Sequence, residues 1–484
     1  MAMHALFALS LVLAPQQPAE RPFAPAPAQA VHLADGIKIG EVTDRSAIVW
    51  VRLTATAERN AAGRAWPEGA DALPADADLG EMVDAVRGAA GEVRLTWWMD
   101  QQGAPRESSP WVKVDPARDF THQFQLDGTL APGQRYGLLV EGRAGEEAAP
   151  QCRMEGALRT APAAGAAAPG RFTVVTGQSY LRRDDPARGH RIYGHMLALD
   201  PDFFVHTGDV VYHDKPGPFA KSPELARYKW NRIYAMPLQR DFHAQVPSWF
   251  MTDDHDVLKN DCWPGQRYGD LSWDEGLAIY REQTPAGPKP YRRVRWGKDL
   301  EVWFVEGREF RSPNRMEDGP EKSIWGAEQK AWFKETFAAS DATFRVLVSS
   351  TPIVGPDRSS KKDNHANAAF RHEGDELRAF LASQPGAYVV CGDRHWQYVS
   401  EDLATGLREY SCGPTTDKHA GGFSQKNRSD AHRYLKVCGG FLEVSLEYDG
   451  ASPASSSGTA PSMGVFSTRT PGPPGAAAEA LSPI

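Results

Sequence analysis

Three segments of the sequence each place acidic and histidine side chains directly after a short apolar run. They read VHTGDVVYHD at 205–214, TDDHD at 252–256 and GDRH at 392–395. Carboxylates, imidazoles and a phenol are the ligands that divalent and ferric metal ions take from proteins. Asp253, Asp254 and Asp256 lie within four residues. Their negative charges repel one another unless water solvates them or cations neutralise them. The residue types and their spacing therefore indicate a site that holds metal ions.

A layered α/β domain is predicted to bring these segments together. From Phe172 onward, apolar runs of strand length alternate with helical stretches, which is typical of a sheet covered by helices. Each of the three segments follows one of these strands, which begin at Phe203, Ser248 and Ala387. Ligands of such sheets bind at the carboxyl ends of the strands, so we expect the three segments to meet at one edge.

The chain before this domain has a different pattern. Short alternating strands separated by turns run from Val31 to about Arg159, which indicates a β-sandwich of the immunoglobulin or fibronectin type. The small residues at 161–170 are typical of a linker. We therefore divide the chain into a sandwich at 31–160, a linker at 161–170 and a layered αββα domain at 171–449.

Both ends of the chain lie outside these units. Residues 5–14 are apolar, and Ala28-Gln29-Ala30 has the small-x-small pattern of a cleavage site. Together they predict a signal peptide at 1–30, followed by secretion or release into the periplasm. The segment at 450–484 is rich in Ala, Ser, Pro and Gly, and we expect it to be disordered.

Composition excludes some classes of function. The 484 residues carry 54 basic and 62 acidic side chains, a net charge of −8, which argues against a nucleic-acid binder held by phosphate contacts. No apolar run is long enough to span a membrane. Five cysteines show no CxxC or zinc-type spacing, so that disulfide pairing stays open. The oligomeric state stays open as well.

With these motifs in this order, the sequence resembles the alkaline phosphatase D family (PhoD-like phosphatases) of calcineurin-like metallophosphatases. Two further blocks of that family are matched by FTVVTGQSY at 172–180 and SSTPI at 349–353. The likeness covers both the N-terminal sandwich and the catalytic domain. It implies a phosphoric ester hydrolase, either an alkaline phosphatase or a phosphodiesterase, whose substrate is a small phosphoester.

The resemblance also implies roles for single residues. Asp209 would bridge two metal ions, and Tyr212 stands where the family has a phenol that can bind ferric iron. The other metal ligands would be Asp253, Asp254, Asp393 and His395, and His255 fits a catalytic histidine. Arg394 and Lys259 are candidate phosphate contacts.

One position departs from the family pattern. Iron-binding members have a cysteine ligand in the first block, where this sequence has Gly177. The oxygen atoms of Gln178, Ser179 or water are weaker substitutes for that ligand. The departure favours two or more divalent ions, calcium, manganese or zinc, over a site that contains iron.

The mechanism implied by this ligand set follows from charge. A phosphoester is anionic, so its hydrolysis needs a strong nucleophile together with cations that screen the charge. Two cations bridged by Asp209 would lower the pKa of a bound water, and the resulting hydroxide would attack phosphorus in line. His255 would stabilise the transition state or protonate the leaving oxygen. The loops at 256–270 and 356–372 should form the substrate pocket, and neither selects a monoester or a diester.

Two alternatives stay open at this point. A purple-acid-phosphatase type of enzyme also joins a β-sandwich to a metallophosphatase domain and shares GDxxY, but 253–256 and 392–395 do not match its GNHE and GHxH motifs. The other alternative is a non-catalytic carbohydrate-binding relative that kept the fold. Gly177 and the fourteen tryptophans of the chain suggest it.

Overall fold

The structure, a computed structural model, describes residues 30–448, 461–469 and 479–483. Except for Ala30, the signal peptide predicted at 1–30 lies outside these residues, and it stays a prediction. Within the described ranges, no helix combines the length and the apolar character that crossing a membrane requires.

Two sheets with a shared core form the N-terminal region. Strands β3, β4, β5, β7 and β8 make one sheet, and β1, β2 and β6 face it across a core that includes Val49, Leu95 and Leu138. The immunoglobulin or fibronectin type of this sandwich stays a prediction. The strands are β1 Ile37–Gly40, β2 Ile48–Arg52, β3 Glu92–Met99, β4 Arg106–Ser108, β5 Val112–Lys113, β6 Thr121–Gln125, β7 Arg135–Arg143 and β8 Cys152–Arg159.

The following part of the chain is mixed α/β, as the alternating pattern predicts. Its helices are α1 Ile192–Ala198, α2 Pro223–Tyr234, α3 Pro237–His243, α4 Asp254–Val257, α5 Trp273–Gln283, α6 Gly326–Ala338 and α7 Arg371–Ala382. Its strands are β9 Gly170–Val175, β10 Phe203–His206, β11 Ser248–Phe250, β12 Arg267–Tyr268, β13 Leu271–Ser272, β14 Arg292–Trp296, β15 Leu300–Phe304, β16 Phe344–Ser349, β17 Ala387–Cys391, β18 Gln397–Glu401, β19 Arg408–Cys412, β20 His432–Lys436 and β21 Gly440–Tyr448.

Two large sheets pack face to face in this part. One contains β21, β9, β10, β11, β1, β2 and β6 in that order, and the other contains β14, β15, β16, β17, β19, β18 and β20. Successive side chains of a strand point to opposite faces. Val346 and Val348 of β16 therefore face the core between the sheets, while Leu347 packs with α6 and α7. Helices α1 and α3 pack on β9 and β10 of the first sheet, so helices cover both outer faces.

The first sheet continues across the boundary predicted at 161–170. Strand β1 pairs in parallel with β11 through Gly40 and Ser248, so that β1, β2 and β6 extend the catalytic sheet. The side-chain amide of Asn231, in α2, also donates a hydrogen bond of 2.8 Å to the carboxylate of Asp119, which precedes β6. The N-terminal and catalytic parts thus share a sheet and at least one partly buried polar contact.

The prediction of a disordered tail at 450–484 is wrong for two segments. Strand β22, Pro461–Arg469, pairs antiparallel with β21, and strand β23, Glu479–Pro483, pairs with β22. Met463 and Val465 are 1% and 2% exposed and belong to the core between the two large sheets. The tail has a low average hydrophobicity, so its alternating apolar residues did not indicate a strand. That alternation is nevertheless enough for a strand to pair with the edge of β21.

We predict that Met463→Ala destabilises the protein strongly. Removing a buried methionine side chain costs about 2–5 kcal/mol, measured as the free energy of unfolding in urea. Met316, which is 40% exposed, provides the control, and Met316→Ala should change that free energy by less than about 0.5 kcal/mol. Equal, small effects of the two substitutions would show that β22 does not contribute to the core.

Candidate metal centre

The three acidic segments converge in the folded chain. Asp209 follows β10, Asp253 follows β11 and Asp393 follows β17. Ligand atoms of Asp209, Asp254 and His255 lie within 4.8 Å of one another, and so do those of Asp209, Asp253 and Asp393. Asp209 belongs to both groups, which is the position that a carboxylate shared by two metal ions would need.

Tight backbone turns bring these side chains together. The φ angles of Asp209 and Asp393 are 59° and 60°, a left-handed conformation that costs free energy for residues other than glycine. Gly208 has a φ of 109°, and a Cβ built there would lie 2.4 Å from the Cβ of Asp253. A side chain at position 208 would therefore push the two loops apart.

Asp256 fastens the loop after β10 to the loop after β11. Its carboxylate accepts backbone N–H groups from Asp209, Val210 and Val211 at 2.8, 2.8 and 3.1 Å. It also accepts the N–H of Asp253 at 3.0 Å. Asp256 is therefore a structural acceptor that positions two proposed metal ligands, and it belongs to neither ligand group.

Tyr212 and His395 lie beside Asp209. The Tyr212 hydroxyl donates a hydrogen bond of 2.9 Å to Asp209 and lies 3.4 Å from Nε2 of His395. The same nitrogen is 3.8 Å from Asp209 Oδ2. Burial lowers the pKa of His395 to about 3, so its ring is neutral, which is the form that binds metal ions.

The donor atoms of this centre fit metal ions. Asp209 Oδ1 and Asp253 Oδ2 are buried and have no hydrogen-bond partner in the part of the chain that the structure describes. A buried carboxylate oxygen without a partner is costly unless a cation binds it. Carboxylate oxygens and imidazole nitrogens suit calcium, manganese, zinc and iron alike, so the donor set supports metal binding without selecting the metal.

Arg308 supplies a positive charge that the sequence analysis did not identify. Its side chain is fully buried, and Nε donates a hydrogen bond of 2.6 Å to Asp253 Oδ1. Burial raises the pKa of Asp253 well above its usual range, and Arg308 opposes that effect. Arg308 follows β15. Basic residues just after the predicted strands, and not only acidic ones, would therefore have indicated it.

Asp214 orients His255, the predicted catalytic histidine. Nδ1 of His255 lies 2.6 Å from Asp214 Oδ1. Because a carboxylate accepts, Nδ1 donates, and Nε2 is left for other partners. Burial lowers the pKa of His255, but Asp254, Asp209 and Asp214 outweigh it and raise the pKa to about 10. The imidazole is thus protonated at neutral pH before metal ions bind.

A cavity of about 200 Å³ adjoins the centre. It is lined by four of the predicted site residues, Asp209, His255, Asp393 and His395, and by the cationic residues Arg182, Arg358 and Lys361. Asn260, Arg358 and Lys361 come from the two loops that the sequence analysis assigned to the substrate pocket. None of the three cationic residues was singled out from the sequence, because nothing in their local pattern marks them.

The two predicted phosphate contacts do not line this cavity. Arg394 is fully buried, and its guanidinium lies 2.8 Å from Asp357 and 3.7 Å from Asp363. The guanidinium also contacts the carboxylate of Asp393, so Arg394 is held by buried carboxylates and does not line the cavity. Lys259 is half-buried outside the cavity lining.

The family model of the PhoD-like phosphatases matches residues 172–434, more than half of the chain. The chain belongs to this family. It is therefore a phosphoric ester hydrolase that depends on metal ions. The match confirms the family that the sequence motifs indicate.

Two solved structures show the same fold. A structure of PhoD has a TM-score of 0.68 at 16% identity, over 95% of this chain and 94% of that chain. The purple acid phosphatase PPD1 from yellow lupin (Lupinus luteus) seeds has a TM-score of 0.60 at 10% identity, over 91% of this chain and 72% of that chain. No curated protein sequence matches the chain.

We predict that Asp209→Asn removes bound metal, since both ligand groups depend on this carboxylate. Metal content per purified chain should fall. Mutating a residue that only hydrogen-bonds to a metal ligand weakens metal affinity by about 10–100-fold, so the loss of a ligand itself should weaken it at least as much. Asp241, an exposed residue of α3, provides the control, and Asp241→Asn should keep the metal. Full metal content in Asp209→Asn would rule out the bridging role.

Proposed function

We propose that this chain hydrolyses phosphoesters in the cavity beside Asp209 and prefers monoesters to diesters. The observation that carries the proposal is the combination of the carboxylates of Asp209, Asp253, Asp254 and Asp393 with three cationic side chains on the cavity beside them. Bound metal ions would polarise the phosphoryl group and lower the pKa of a coordinated water. The protein residues would place the substrate and move its protons.

His255 is the proposed proton donor to the leaving oxygen. Its Nδ1 is occupied by Asp214, and the residue lines the cavity. The Asp214 carboxylate both fixes the ring and stabilises its protonated form. A proton held at Nε2 is thus available to an oxygen atom that leaves phosphorus within the cavity.

Arg182, Arg358 and Lys361 are the proposed contacts of the phosphoryl oxygens. Arg358 stacks over Trp396 at 5.3 Å, which fixes its guanidinium beside the cavity. A monoester carries up to two negative charges and a diester one, so a cavity with three cationic residues favours the monoester. The three side chains form ion pairs or hydrogen bonds of their own, including Lys361 with Asp261 at 2.6 Å.

The two alternative functions have less support. The fold is shared with a purple acid phosphatase, but the GNHE and GHxH motifs of that type are absent from the sequence. A carbohydrate-binding surface needs exposed aromatic rings, whereas seven of the fourteen tryptophans are less than 2% exposed. These seven are Trp50, Trp230, Trp249, Trp296, Trp303, Trp325 and Trp396.

The proposal is tested by hydrolysis of p-nitrophenyl phosphate and of bis(p-nitrophenyl) phosphate. We expect a higher kcat/KM for the monoester, loss of both activities on chelation, and recovery when divalent metal is restored. Arg358→Met keeps the contact with Trp396 and removes the charge. It should raise KM for the monoester about 10-fold, because one hydrogen bond to a charged group is lost.

The matched control for that substitution is Arg315→Met, because Arg315 is exposed outside the cavity. It should leave both KM values unchanged. Full activity in chelated protein would contradict the metal-dependent reaction. An equal KM for Arg358→Met and wild type would contradict the assignment of Arg358 to the phosphoryl group while leaving the reaction itself intact.

We predict that His255→Ala separates catalysis from metal binding. Loss of a general acid lowers kcat by about 100–10,000-fold, whereas metal content should change much less because Asp209 and its carboxylate partners remain. His195, an exposed histidine of α1, provides the control for the loss of an imidazole. Parallel loss of kcat and metal in His255→Ala would instead identify His255 as a metal ligand.

A further inference from the structure

Glu409 is a buried acidic residue to which the site described above gives no role. It lies in β19, and its side chain is fully buried. Tyr410 and Cys412 of the same strand belong to the core between the two large sheets. Because side chains of a strand alternate between its two faces, Glu409 points to the opposite face of the sheet.

The carboxylate of Glu409 accepts hydrogen bonds from three consecutive backbone N–H groups. Ile353, Val354 and Gly355 donate to it at 2.6, 2.9 and 2.9 Å. The hydroxyl of Tyr398, in β18, donates a fourth hydrogen bond of 2.8 Å. Successive backbone N–H groups that converge form a binding concavity for an anion, and here the anion is a side chain of the chain itself. Glu409 therefore holds the segment at 353–355 in one backbone conformation.

The loop at 356–372, which begins directly after this segment, carries Arg358, one of the cationic residues that line the cavity. Two residues separate Arg358 from the segment at 353–355. One of them, Asp357, forms an ion pair of 2.8 Å with a buried arginine, and the Arg358 guanidinium lies 5.3 Å from the ring centroid of Trp396. The backbone is thus held along its whole path, and a shift at 353–355 would move the guanidinium.

We propose that Glu409 is a positioning residue for the reaction. Its carboxylate holds the segment at 353–355 and so places Arg358 for contact with the phosphoryl oxygens. This assignment rests on the proposed function, which assigns Arg358 to the substrate. Glu409 itself touches neither the cavity nor the ligand groups, so its loss should impair substrate binding more than turnover.

Glu409→Gln tests the assignment, because the amide keeps the shape of the side chain but replaces one acceptor oxygen by a donor. With p-nitrophenyl phosphate we expect KM to rise about 10-fold, as for loss of the Arg358 contact. We expect kcat to stay within about twofold of wild type and metal content to be unchanged.

The control for loss of a buried carboxylate is Glu282→Gln. Glu282 is 6% exposed and pairs with Arg227 at 2.8 Å, outside the cavity lining. This substitution should leave KM unchanged. A wild-type KM in folded Glu409→Gln, or an equal rise of KM in both variants, would overturn the proposal.

The double variant Glu409→Gln/Arg358→Met separates the positioning of Arg358 from a general effect on the fold. If Glu409 acts through Arg358, the second substitution adds little, and KM should stay within about threefold of Arg358→Met alone. Independent effects would instead multiply to about 100-fold over wild type, which would contradict the assignment.

Hydrogen exchange in the wild-type chain provides a test that requires no folded variant. The amides of 353–355 should exchange slowly, because a buried carboxylate holds them, and exchange as fast as that of exposed loop amides would refute the proposal. A wild-type chain that hydrolyses no phosphoester would refute the proposed function. In that case, weaker binding of inorganic phosphate by Glu409→Gln than by wild type would still support this assignment, and equal binding would overturn it.

Discussion

The hydrogen bonds accepted by Asp256 are the contacts on which the rest of the centre depends. One carboxylate receives the N–H groups of three consecutive residues after β10 and of Asp253 after β11. These donors are buried, and each would be costly without a partner. The same bonds offset the left-handed backbone of Asp209, so the Asp209 carboxylate is held in place before any metal binds.

Charge balance is the second constraint on this region. Asp253 pairs with Arg308, His255 with Asp214, and the buried Arg394 with Asp357 and Asp363. Asp214, Asp357 and Asp363 are thus matched by cations, and Asp256 is matched by backbone N–H groups. The oxygens left without protein partners include Asp209 Oδ1 and Asp253 Oδ2, which are the atoms that a metal ion would satisfy. The acidic residues that cluster in the sequence therefore lie where cations would bind.

The sequence was most informative where local pattern decides structure. Strands β10, β11 and β17 begin at the residues that their apolar runs predict, Phe203, Ser248 and Ala387, because buried strands leave a continuous apolar signal. The three acidic segments then follow from the rule that sites form at strand ends. Roles for Asp209, Tyr212 and the other proposed ligands remain predictions, although their geometry agrees with such a site.

Tertiary contacts decide the features that the sequence did not reveal. Arg358 and Lys361 lie in a segment whose path depends on distant packing, including the contact of Arg358 with Trp396. Arg394 was misassigned because its type and position suggest phosphate binding, whereas its guanidinium pairs with the carboxylates of Asp357, Asp363 and Asp393. The strand at Pro461–Arg469 was not predicted because it has few apolar residues, and only its pairing with β21 lets them contribute to the core.

The central claim is that Asp209 joins two metal ions in one centre. Anomalous X-ray diffraction from crystals of the full chain grown with Mn²⁺ or Zn²⁺ tests it most directly. The account predicts two anomalous peaks, each about 2.0–2.2 Å from an oxygen of Asp209. A single peak, or peaks that leave the Asp209 carboxylate uncoordinated, would contradict it.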